Sequence, residues 1–440
     1  MGTRGHSGIR WGKRTLPAAG ILAFILCGAA PAHAACSVTT GDFDGNGTDD
    51  LRITGDGLRQ ILVMDIGAAG IHVQLDCNGD GDFTDAGDTD TTFNLGLETL
   101  AIDLKGKDVI TVLQSAAAAG QRRDFVLTLG PAGNTVTFLG LTGAPASAQT
   151  SWIVDIAGGS GQDDVNISLG SSWNDSLLQV RGDLGAGDDH VTIGGVPTST
   201  NGVIDVDLVL GNGNNSFKFA GGTVGSAYTG FRWNLSAEGS NLPTNVDTVT
   251  VDMERRRLSN DSRFTLNANL LAGNDVFTAT EPNTFASGGG QPEYRVHVKG
   301  GLGNDLLQVG PQYAVSQGRT SNDGLVEEVL DGGPGSDVIL VESHVEGIGT
   351  TRIRLQGGDG NDSVMSSLWA EDAGFGLNNL DPIIRGGRGA DDVYSSVFEP
   401  GTASYRPVGA SLLDGGMDAG DACVFFGNGK SDRFACELGS

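Results

Sequence analysis

The stretch Gly300-Gly301-Leu302-Gly303-Asn304-Asp305-Leu306-Leu307-Gln308-Val309 decides the reading of this chain. Glycine takes positive φ without a Cβ clash, so its first half predicts a tight turn. Asp305 places a carboxylate at the turn's exit. Leu307 and Val309 alternate with Leu306 and Gln308, which is strand periodicity.

The same device recurs along the chain. Its aspartate, or an asparagine in its place, falls at Asp163, Asp189, Asn215, Asp247, Asp275, Asp305, Asp337, Asp362, Asp391 and Asp421, at spacings of 25 to 32 residues. Weaker copies stand at Asp108 and Asn134. Two residues after each anchor the side chain is apolar, from Ile110 through Phe217 and Leu307 to Cys423. Seven residues before it, Leu127, Ile156, Leu208, Ala268, Val298, Leu330, Leu355 and Ile384 repeat the pattern. Each unit therefore reads as strand, glycine–aspartate turn, strand and polar connector. A fixed period of this length is the mark of a repeat architecture whose units bury their faces against their neighbours. The expected fold is all-β, an elongated parallel β-helix or β-solenoid of about a dozen rungs with its ends closed by disulfides.

Composition agrees. Glycine accounts for 71 of 440 residues while apolar residues still make up 38%, which suits a repeated turn better than disorder. The net charge of −27 disfavours nucleic acid as a partner, since that needs a basic surface. It suits a binder of cations.

Four parts are expected. Residues 1–34 read as a secretory signal: a basic front (Arg4, Arg10, Lys13, Arg14), an apolar centre from Leu16 to Ala30, and the small-x-small site Ala32-His33-Ala34. The apolar run is too short to span a bilayer, which takes about 20 residues, and no later stretch is apolar enough. A secreted or cell-surface location follows. Residues 35–150 form an N-terminal cap with degenerate rungs, residues 151–421 the regular solenoid, and residues 422–440 a C-terminal cap. Cys36, Cys77, Cys423 and Cys436 remain after the signal. They allow three pairings, of which Cys36–Cys77 and Cys423–Cys436 would each close one end.

Two acidic loops lie near the N-terminus. Asp42-Phe43-Asp44-Gly45-Asn46-Gly47-Thr48-Asp49-Asp50 and Asp76-Cys77-Asn78-Gly79-Asp80-Gly81-Asp82 place oxygen side chains at alternate positions around glycines. They resemble the calcium loops of EF-hands, dockerins and FG-GAP repeats. The resemblance implies Asp42, Asp44, Asn46 and Asp50 as ligands in the first loop, and Asp76, Asn78 and Asp80 in the second. Neither loop carries a glutamate at its twelfth position, so an EF-hand fold is not expected.

The turns before Asp163, Asp189, Asp305, Asp337, Asp362 and Asp391 share the pattern G-x-G-x-D. Each is similar to the nonapeptide of hemolysin-type (RTX) calcium-binding repeats, in which stacked turns hold calcium. The resemblance covers about a third of each unit and implies calcium at Asp163, Asp189, Asp275, Asp305, Asp337, Asp362 and Asp391. In that family the nonapeptides run in tandem. Here there is one per rung, so the turn chemistry carries over and a toxin function does not. Stacked strands lie about 4.8 Å apart, which brings successive carboxylates into repulsive range unless a cation lies between them.

Catalytic signals are sparse. Gly161-Gln162-Asp163-Asp164 is similar to the acid–base aspartates of polygalacturonases, but its companion motifs are missing and Asp163 is already the repeat anchor. Arg255-Arg256-Arg257 is the densest basic cluster and reads as a solvated turn. The functional expectation is a secreted or surface calcium-binding solenoid with a structural or adhesive role, meeting a cell-surface or extracellular polysaccharide or protein. The alternatives are a polysaccharide hydrolase or lyase, and a metal-free scaffold binding a partner through connectors such as Gln312–Glu327.

Overall fold

The alternation seen at Leu307 and Val309 runs through the whole chain, and the structure turns it into stacked columns. In this computed structural model the described residues are 36–427 apart from 44–46, 48, 56–60, 67–69, 79, 86, 94–98, 115–121, 142–149, 171–172, 197–198, 223–226, 254–255, 286–290, 311–323, 347–349, 372–378, 399–405, 408–411 and 417–421. The expected signal at 1–34, Cys436 and Asp421 lie outside them.

Among the described residues every regular element is a strand. Two long sheets face one another, and the chain alternates between them. Strands such as Arg263–Asn269, Glu293–Lys299 and Leu325–Pro334 build the first sheet, in parallel register. Val276–Ala279, Leu306–Val309 and Val338–Glu346 build the second. Among the described residues a small third sheet, Ser199–Thr200, Ala227–Thr229, Arg257–Ser259 and Asn283–Phe285, flanks the middle rungs. The two strands of one rung meet at the glycine–aspartate turn.

The register explains the sequence pattern. Ile110, Val136, Val165, Val191, Phe217, Val249, Phe277, Leu307, Ile339, Val364, Val393 and Cys423 form one continuous column on the second sheet. Leu127, Ile156, Leu208, Ala268, Val298, Leu330, Leu355 and Ile384 fall in one column on the first. Both columns point inward and are buried from Ile110 to Val393 and from Leu127 to Ile384 wherever the position is apolar. Between them runs an aromatic stack in which Phe264 and Tyr294 lie nearly parallel, centroids 5.2 Å apart. Trp152 stacks on Phe125 at 5.7 Å. A buried aromatic side chain removes 150–250 Å² from water, so these rings dominate the core.

The regular winding makes about eight turns, somewhat fewer than the dozen expected. Part of the N-terminal region is antiparallel rather than wound. Ser37–Gly41 pairs antiparallel with Asp50–Thr54, and Ile61–Ile66, Ile71–Asp76 and Thr89–Phe93 form an antiparallel meander. This cap covers the first edges of both sheets, which would otherwise offer unpaired backbone to another chain. Both sheets run without a break through residue 150.

The Cys36–Cys77 disulfide ties the first strand to the meander. Cys423 is also disulfide-bonded; its expected partner Cys436 lies outside the described residues. Removing Cys36–Cys77, as the Cys36→Ser and Cys77→Ser double variant, is expected to cost about 2–4 kcal/mol through the freed loop of the unfolded chain. Urea unfolding with and without the bridge measures it. An unchanged midpoint would mean that the cap is held by its strands alone.

The arginine cluster corrects one expectation. Arg256 is 6% exposed rather than solvated. Its guanidinium bonds Asp252 at 2.7 Å and donates to the Gly222 carbonyl at 2.9 Å, tying the third sheet to the second. It is a structural ion pair and not a free base.

Candidate functional site

Three glycines and an aspartate make up the turns before Asp163, Asp305, Asp337, Asp362 and Asp391, and close packing explains their places. At the first position a Cβ on Gly332 would lie 2.4 Å from Oδ2 of Asp337, so its absence makes room for the turn's own carboxyl group. At the fourth position a Cβ on Gly335 would lie 1.5 Å from the carbonyl oxygen of Gly303, one rung away. The turns are therefore stacked as closely as the strands. Their backbones bond each other directly: Gly301 N–H donates to Gly332 O at 2.9 Å and Gly303 N–H to Pro334 O at 3.0 Å.

The anchor side chains point into the body and not out to solvent. Asp163, Asp189, Asn215, Asp247, Asp275, Asp305, Asp337, Asp362 and Asp391 are all at most 2% exposed. They form a ladder. The backbone N–H of each anchor donates to Oδ1 of the anchor one rung on: Asp163 to Asp189 at 2.8 Å, Asp189 to Asn215 at 2.9 Å, Asn215 to Asp247 at 3.2 Å and Asp247 to Asp275 at 2.7 Å. It continues from Asp275 to Asp305, Asp305 to Asp337 and Asp337 to Asp362, each at 2.8 Å, and from Asp362 to Asp391 at 2.9 Å. Asp108 and Asn134 extend it backwards. A second, exposed set of bonds runs the other way where the residue before the anchor is Asn or Asp, as where Asn304 Oδ1 accepts Ser336 N–H at 2.7 Å.

One oxygen of each anchor is thus satisfied, and the other distinguishes the turns. Oδ2 of Asp163 accepts Gly159 N–H at 3.4 Å, and Oδ2 of Asp247 accepts Ser240 N–H at 2.6 Å. Oδ2 of Asp189, Asp275, Asp305, Asp337 and Asp362 is buried with no hydrogen-bond partner. A buried carboxylate oxygen without a partner is costly. Burial accordingly raises the pKa of these carboxyls, against the opposing pull of the neighbour's N–H. It is pushed up to about 7 at Asp189, Asp275 and Asp337 and about 6 at Asp305 and Asp362.

Asn215 shows what the empty-handed oxygen faces. Its Oδ1 takes the ladder bond, so its Nδ2 stands where the other turns have Oδ2. That amide donates to the carbonyls of Gly211 and Gly213, both at 3.2 Å, and to Oδ1 of Asp247 at 3.1 Å. The same left-handed backbone recurs at Gly333 and Gly335 (φ 100° and 154°) and at Gly358 and Gly360 (φ 123° and 144°), but not at Gly159 and Gly161. In the five aspartate turns just named Oδ2 has no donor, and its raised pKa lets the carboxyl hold a proton.

The N-terminal loops are ordered differently. Asp50 is buried, and its oxygens accept Phe43 N–H at 2.9 Å and Thr99 N–H at 3.2 Å, so it pins the first loop to a strand. Asp42 is exposed and accepts Gly47 N–H at 3.0 Å. Asp44 and Asn46 lie outside the described residues. In the second loop Asp76 is buried and accepts Asn78 N–H at 3.1 Å and Gly81 N–H at 2.7 Å. Asn78 Nδ2 reaches Asp80 at 3.1 Å and Asp85 at 3.3 Å. The Asp80 and Asp82 charges raise the pKa of Asp85. Among the described residues no group of three or more His, Cys, Asp or Glu side chains comes together as a metal centre. A cation in the turns would rest on carboxyl and glycine carbonyl oxygens.

The glycosidase pair does not form. Asp163 is buried, while Asp164 is only half-buried at the start of the strand Asp164–Leu169, where successive side chains alternate between faces. Two groups so divided cannot flank one glycosidic bond. A buried pair that pattern-reading missed is Glu281 and Glu328. Its signal was present at Glu328, which stands in phase with the inward Val326 and Leu330. Compared with protein-family models, curated proteins and solved structures, the chain matches none.

Proposed function

We propose that this chain is an exported structural β-solenoid that binds calcium in its turns, in the manner of hemolysin-type repeats, at a cell surface or outside the cell. The observation that carries the reading is the buried, partnerless Oδ2 at Asp189, Asp275, Asp305, Asp337 and Asp362, placed where Asn215 puts a hydrogen-bond donor. Calcium takes carboxylate and carbonyl oxygens in flexible geometry, which is the donor set these turns offer. It would neutralise the carboxylates and link adjacent rungs. Asp163 and Asp247 have their own backbone donors and drop behind the other five as ligands. The export half of the reading rests on the leader-like residues 1–34, and the structural half on the repeated, wound body.

Thermal unfolding of the chain in EDTA and in millimolar calcium, followed by circular dichroism, tests it. A ligand held only by the folded state at a hundred times its dissociation constant adds about 2.7 kcal/mol per site. Several turns together are expected to raise the melting temperature by about 10 °C or more. Coincident curves would sink calcium as the organising ligand and leave a metal-free solenoid.

A further inference from the structure

A second set of unsatisfied carboxyls lies inside the solenoid, away from the turns. Glu328 is 0% exposed on the strand Leu325–Pro334 and stands in an aliphatic column, between Val296 and Ile353. Glu281 is 7% exposed and follows the strand Val276–Ala279 on the opposite sheet. Both oxygens of Glu328 and Oε1 of Glu281 are buried without a hydrogen-bond partner. The groups that act on them are burial itself, each other and Ser343. The Ser343 hydroxyl, 3% exposed, is likewise without a partner. Tyr294 feels the charge of both glutamates, and its hydroxyl reaches the Thr280 carbonyl at 3.4 Å. The cluster sits where the third sheet ends, after Asn283–Phe285.

Two like charges in a closed interior cannot both persist without compensation. Two protons would neutralise the pair and let the two carboxyls hydrogen-bond each other. One divalent cation matches the charge of two carboxylates and can be met by all of their oxygens. Oxygen donors alone, with no sulfur or imidazole among them, suit a hard ion.

We propose that Glu281, Glu328, Ser343 and Tyr294 form an interior site for a single hard divalent cation, such as calcium, distinct from the turn sites. The site is enclosed, so the ion enters during folding, as Leu325–Pro334 closes over it, and does not exchange afterwards. It would hold the two sheets together beside the end of the small third sheet.

The test is to refold the full chain from denaturant with calcium, dialyse the native protein exhaustively against EDTA, and measure retained calcium by atomic spectroscopy. The wild type is expected to keep one ion per chain, and Glu328→Gln to keep none. Asp337→Asn, which alters a turn, is expected to keep the interior ion, so failure of the turn sites and failure of this site are read separately. Ser343→Ala removes one neutral oxygen and is expected to release the ion over time while the fold persists. It serves if Glu328→Gln does not refold. A wild type that retains no calcium, or a folded Glu328→Gln or Ser343→Ala that retains as much as the wild type, would overturn the proposal in favour of a protonated acid pair.

Discussion

Alanine at Gly335 is expected to unfold the turn stack around it, at a cost above about 4 kcal/mol. Two effects add. The new Cβ would meet the Gly303 carbonyl oxygen at 1.5 Å, and that oxygen is backbone, with no flexible end to swing aside. The left-handed φ of 154° is also poor for any residue with a side chain. Relief would require the rungs to part, breaking Gly335 N–H to Asp359 O at 2.8 Å and the ladder bond from Asp305 to Asp337. Gly360→Ala should behave alike, because its Cβ also falls 1.5 Å from a carbonyl, that of Gly335. Gly81→Ala is the control: its φ is 89°, but nothing lies within 4 Å of the added atom. It should cost about 1 kcal/mol from conformation alone. Denaturant titration of the three variants measures the difference. Equal losses at Gly335 and Gly81 would show that the turns need glycine only for its backbone angles.

In a metal-free buffer the protein is expected to be most stable in mild acid and to weaken as the pH rises. The turn carboxyls have folded-state pKa values of about 6 to 7, above the ordinary 3.8. A raised value means that the folded state holds the proton more tightly than the unfolded chain. The associated stability is fully present below about pH 4 and is lost as the pH climbs through the folded-state values. Five such groups make the effect large. Calcium competes for the same place as the proton, so its stabilisation should be small near pH 4.5 and greatest near pH 8, with protons released on binding. Asp337→Asn supplies the donor that Asn215 already uses. It should flatten the pH dependence without calcium and also reduce the gain from calcium. Melting temperatures across this range, with calcium and with EDTA, test both halves. A metal-free protein that gained stability from pH 5 to pH 8 would refute the buried-carboxyl account.

Much of this was legible in the chain. The two apolar columns, the strand–turn–strand order and the anchor series are local periodicities, and each survives in the register as one stacked column. The pairing of Cys36 with Cys77 was legible as a preference among three. The antiparallel cap was not, because Ile61–Ile66 and Ile71–Asp76 alternate just as wound strands do. Nor was the small third sheet, whose strands are two or three residues long.

By itself the sequence determined the repeat, the glycine turns and which faces turn inward, since those depend on residues within one rung. Only the tertiary structure decided where the aspartates point and what they touch. The partner of each Oδ1 is a backbone N–H 25 to 32 residues away, and the clash that enforces Gly335 comes from Gly303. Arg256 and Glu328 became buried for the same reason. Whether such a group faces water, a partner or another charge is settled by the neighbouring rungs, and no stretch of one rung contains that information.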